Sequence, residues 1–157
     1  MHYSSSAWRA RSGAFVLSIV AVVCATACRG SGPVSGSIAE AVDRGPGTRL
    51  ALAQSATFEW DQVCLFGPYT SDDEVDAVTG IAGAAQRAFD VRSNEDINVL
   101  LFIQAGRVIE SVAHPRRWDD FGPEVVGKCY SQEEAVFVVR RPPLESWGNI
   151  GLLQQEP

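Results

Sequence analysis

The chain has 157 residues and a formal net charge of −6, with 19 acidic residues against 13 basic ones. That sign is wrong for a surface that tracks phosphates, so nucleic acid is not expected as a partner. The length suits one domain with a modest core.

Arg9 and Arg11 precede an apolar run from Ala14 to Ala27 (AFVLSIVAVVCATA), which ends in Ala25-Thr26-Ala27 before Cys28. A basic start, an apolar stretch and a small-x-small end are the three parts of a secretory signal. A membrane span takes roughly 20 apolar residues, and here Arg29, Gly30, Ser31, Gly32 and Pro33 follow at once. Cleavage before Cys28 is therefore predicted, making residues 1–27 a signal peptide. Removing 27 of the 157 residues takes away Arg9 and Arg11 but no acid, so the mature chain becomes more acidic.

Ala25-Thr26-Ala27-Cys28 resembles the end of a bacterial lipobox, with Ala25 standing where leucine is usual. The resemblance implies a lipid on Cys28 and a membrane as partner, with the rest of the chain on the extracytoplasmic side of the cell envelope. Cysteine parity agrees. Of Cys24, Cys28, Cys64 and Cys129, the first leaves with the signal, and lipidation of Cys28 leaves Cys64 and Cys129 as one pair in an oxidising compartment. A thioether-linked lipid is a stable anchor because each buried acyl methylene contributes about 0.8 kcal/mol.

Residues 28–56 are rich in Gly, Ser, Ala and Pro and carry no aromatic side chain, so the expectation is the lipidated cysteine followed by a flexible tether. The folded domain is expected over 57–148, with 149–157 as a C-terminal tail. Phe58, Trp60, Cys64 and Phe66 alternate with Glu59 and Asp61, which predicts a half-buried strand. Gly67-Pro68-Tyr69 breaks it, and Ser71-Asp72-Asp73-Glu74 has capping-box spacing for a helix. Val75, Val78, Ala82, Ala85 and Phe89 continue at helical spacing, but Gly80 and Gly83 leave open whether one helix continues or stops near Gly80. Residues 98–104 (NVLLFIQ) and 107–113 (RVIESVA) flank Ala105-Gly106 as a tight hairpin, and 135–140 (AVFVVR) reads as a last strand. Strand, helix, hairpin, loop and strand, without alternating parallel units, give an α+β class: a small antiparallel sheet of about four strands, one or two helices and one disulfide.

Trp60 to Thr70 reads WDQVCLFGPYT, a stretch that resembles a Trp-Asp-x-Val…Phe-x-Pro-Tyr-Thr pattern of small exported bacterial proteins. The resemblance carries over no activity. Trp60, Asp61, Tyr69 and His114 form a candidate ligand cleft, since Asp61 offers a polar handle and Tyr69 a ring with a hydroxyl; the competing account places the aromatics in the core. Asp72, Asp73, Glu74 and Asp76 lack the order of a calcium loop and suit the start of a helix dipole, so no metal is expected. No cofactor and no catalytic motif is recognisable. The leading expectation is a non-enzymatic envelope module that binds an envelope protein or small ligand. The alternative is a small exported hydrolase or redox enzyme using His114 or Cys64 and Cys129.

Overall fold

The computed structural model describes residues 32–116, 119–140 and 151–156. The signal segment and Cys28 lie outside them. In chain order the elements are α1 (Pro33–Arg44), β1 (Arg49–Ala51), α2 (Leu52–Ser55), β2 (Gln62–Phe66), α3 (Asp72–Thr79), a 3-10 turn (Ala84–Arg87), β3 (Ile97–Gln104), β4 (Arg107–Pro115), β5 (Asp119–Phe121), β6 (Lys128–Ser131), β7 (Val136–Arg140) and β8 (Gly151–Gln155). They build an α+β fold with two sheets of four strands, ordered β1-β7-β8-β5 and β4-β3-β2-β6. Every pairing is antiparallel except β5 with β8.

The expectation of a flexible tether over 28–56 is corrected from residue 33 onward. Pro33 opens α1, where its fixed φ and missing N–H cost nothing. Val34, Ile38 and Ala41 then follow at spacings of four and three, which places them on one face, and all three are buried. Leu50 and Leu52 are buried as well. Small residues gave this stretch the composition of a linker, yet its few apolar side chains fall in register with a core. The expected tail over 149–157 is corrected too, because β8 pairs with both β7 and β5 and Leu153 is fully buried.

Side chains of both sheets meet in one core: Val63, Leu65, Leu100, Phe102 and Val112 from one, Phe121, Phe137, Val139 and Leu153 from the other, with α1 contributing Ile38. A second cluster covers the outer face of the β2–β3–β4 sheet, where Cys64, Phe66, Val99 and Leu101 pack beneath Val75, Val78 and Ala84. β2 is thus buried on both faces. The single face expected for Phe58, Trp60, Cys64 and Phe66 splits accordingly, with Phe58 and Trp60 in the first cluster and Cys64 and Phe66 in the second. The regular ladder begins only at Gln62, which breaks the period-two count across Asp61.

The open question of the helix resolves at Gly80, which ends α3 at φ 67°, a left-handed position that glycine takes without strain. Ser71 caps the helix, its hydroxyl accepting from the Glu74 N–H at 3.2 Å. Ala105 and Gly106 turn the β3–β4 hairpin with φ of 48° and 71°, the two positive values of a type I′ turn. Cys64 and Cys129 are directly opposed in the β2–β6 ladder and joined by a disulfide.

Candidate functional site

The four residues of the expected ligand cleft occupy different environments. Trp60 is buried, its ring edge-on to Phe102 at 5.2 Å, and its carbonyl accepts from the Gln132 side chain. Asp61 donates its N–H to the Ile103 carbonyl and takes the Ala105 N–H on its carboxylate at 2.6 Å, which pins the hairpin turn. Both serve the end of β3 that runs into that turn. Tyr69 and His114 belong to the opposite end. Tyr69 is 67% exposed and donates to Glu95 at 2.7 Å; that hydrogen bond, together with the negative charge beside it, pushes the phenol above its ordinary pKa. His114 is buried and hydrogen-bonded through Nδ1 to the Ser35 hydroxyl at 2.8 Å, tying α1 to β4. The four side chains do not converge, because β3 separates the pairs by its length and Tyr69 faces solvent.

His114 and Ser35 are each only 2% exposed, so the pair is sealed from any substrate in this conformation. Cys64 is fully buried in its disulfide. Among the described residues no group of His, Cys, Asp or Glu side chains has the arrangement to hold a metal ion. Of the acidic run, Asp76 accepts backbone N–H groups from Gly83 and Ala85 at 2.6 and 3.0 Å, which holds its carboxyl below the usual carboxylate range. It ties α3 to the turn that follows.

Sequence reasoning missed a polar network beside β3. Arg116 meets Asp120 through two nitrogens at 2.9 and 2.6 Å, and donates to the Glu95 carbonyl at 2.8 Å. Asn98, almost wholly buried, donates to the other Asp120 oxygen at 2.7 Å, and the Phe121 N–H adds a donor to that same oxygen. The Asp120 carboxylate raises the Arg116 pKa. Every oxygen of Asp120 is therefore engaged in joining β5 to the start of β3, a structural use that leaves it no lone pair positioned for acid–base work.

Among the described residues, an apolar cleft of about 640 Å³ lies open to a ligand at β4, an edge strand of its sheet. It wraps that edge. Glu110 and Val112 line it from the face of β4 that looks into the two-sheet core, and Ser111 and Ala113 from the opposite face. Pro33, Val34 and Phe58 wall one side and Phe89 the other. A hollow of about 340 Å³ continues along β4 past Ile109 toward Arg87. Phe89 and Ile109 are 50% and 41% exposed, unusual for side chains of that size and placed next to one another at the same edge. Such a volume suits a small apolar ligand or an inserted chain. The only hint of it in the sequence was Phe89 as the last apolar residue of the expected helix; the structure ends α3 before it and leaves it beside β4.

No family profile, curated protein or solved structure matches the chain. Among the described residues no helix is long and apolar enough to cross a membrane.

Proposed function

We propose that the mature protein begins at Cys28, is held to a membrane by a lipid on that cysteine, and acts in the cell envelope as a non-enzymatic binding module. The observation that carries the reading is the Cys64–Cys129 disulfide. With Cys24 removed in the signal, that bond accounts for every mature cysteine but Cys28, at the position where the lipobox resemblance calls for one. The binding half of the reading is supported by where polarity and openness lie. Among the described residues, the Arg116–Asp120–Asn98 network is spent on holding strands together, and the cleft at β4 is apolar.

Intact-mass analysis of protein purified from membranes tests it. The expected mass is that of residues 28–157 carrying a diacylglyceryl adduct and lacking two hydrogens across Cys64 and Cys129. A mature chain with an unmodified Cys28 thiol would refute lipid anchoring.

A further inference from the structure

A lipid anchor restricts which face of a domain meets the membrane only if the link between them is short. The first described element, α1, opens at Pro33, so four residues, Arg29, Gly30, Ser31 and Gly32, separate it from Cys28. The five Cα steps from Cys28 to Pro33 reach at most about 18 Å. Gly32 and Pro33 themselves line the cleft at β4. A lipidated Cys28 therefore holds the mouth of that cleft within one leaflet's reach of the bilayer, at an effective concentration in the millimolar range or above.

We infer that the cleft at β4 is the face this domain lays on the lipid surface, with Phe89 as the side chain that enters it. The inference rests on lipidation of Cys28. Three observations converge on this face. The chain emerges there, the wall opposite the emergence point is a half-exposed phenylalanine, and the cleft lining carries a single charged side chain, Glu110. A half-exposed aromatic ring suits the boundary between headgroups and acyl chains, whereas in water it leaves apolar area unburied. An extended polypeptide pairing with the edge of β4 is the competing occupant, because edge strands present unpaired backbone groups. The short link favours lipid, since it brings a bilayer to this cleft in every anchored molecule.

The test uses the full-length lipoprotein carrying Phe89→Cys, labelled with an environment-sensitive fluorophore and reconstituted in phosphatidylcholine vesicles. Glu133→Cys is the comparison, since Glu133 is exposed in the turn after β6, the edge strand opposite β4. The expected result is a blue-shifted label at 89, quenched by lipids bearing a nitroxide near the headgroup and several-fold less quenched by iodide than the label at 133. Equal iodide quenching at the two positions overturns the inference. Protection of position 89 from iodide without quenching by the nitroxide lipid also overturns it, by showing that protein and not lipid shields the cleft. The mass of the same sample separates the two claims: a lipid on Cys28 with a water-exposed position 89 removes this inference alone, and an unmodified Cys28 removes the anchor and this occupant together.

Discussion

Ile38→Ala measures whether the N-terminal segment belongs to the fold. Ile38 is fully buried in α1 and packs in the core shared by both sheets. The change deletes three side-chain carbons, a transfer loss of about 2.4 kcal/mol at roughly 0.8 kcal/mol per methylene. The surrounding side chains belong to strands fixed by their ladders, so the site collapses only partly; the residual cavity brings the total to about 3–4 kcal/mol, inside the roughly 2–5 kcal/mol range of such truncations. Urea unfolding of the mature domain followed by tryptophan fluorescence reads the difference, with Glu40→Ala as the control on the exposed face of the same helix. An exposed substitution stays within about 0.5 kcal/mol. If Ile38→Ala cost no more than Glu40→Ala, α1 would not be part of the cooperative unit, and the four-residue link from Cys28 would lengthen to the tether that composition alone suggests.

Replacing both Cys64 and Cys129 with alanine should destabilise the domain by about 4 kcal/mol, since the bond closes a loop of 65 residues; a loss under about 1 kcal/mol in the same denaturation assay would show that strand pairing already confines the unfolded chain. Asp76 makes a pH prediction. Its pKa is lowered in the fold by the Gly83 and Ala85 N–H groups, so its contribution is present above the ordinary carboxylate pKa and is lost as pH falls through the lower folded value. Asp76→Asn should therefore be less stable than the natural chain at neutral pH, with the gap closing below about pH 4; a gap that stays constant through an acid series of thermal melts would contradict that linkage.

What the sequence made legible was local. The Ser71 cap, the Ala105-Gly106 turn and the 98–104 strand each follow from a few adjacent residues whose conformational preferences agree. The disulfide followed from counting. The failures share a different cause. Val34, Ile38 and Ala41 carry a helical period, but their signal was diluted by Gly36, Ser35 and Ser37 into what reads as linker, and only the core of both sheets gives those three side chains somewhere to go. β8 is five residues, GLLQQ, without alternation strong enough to identify it before its partners are known. In the sequence, Trp60 and Asp61 suit a ligand site because a ring stands beside a carboxylate. The same chemistry also suits a buried ring whose neighbour pins a hairpin, and the two are distinguishable only once Ala105 is in place. The cleft had no local signature, since its walls come from residues 33–34, 58, 89 and 110–113.

That construction also explains how β4 can remain an edge. A nine-residue edge strand is a template for unwanted pairing, and proteins guard such strands with charge, proline or a covering segment. Here Arg107 stands at one end and Pro115 at the other, the ladder shifts register opposite Phe102 and Ile103, and the Phe89 N–H donates to the Ser111 hydroxyl at 3.3 Å, drawing the preceding loop against the middle of the strand. These guards limit pairing by another chain while leaving Phe89 and Ile109 half exposed beside the strand. An edge guarded against strands but flanked by exposed apolar side chains is suited to a fluid partner that makes no demand for hydrogen-bond register. On that argument the guards and the exposed Phe89 have one explanation: the first disfavour a polypeptide at β4, and the second is left for the lipid surface that a four-residue link would hold there.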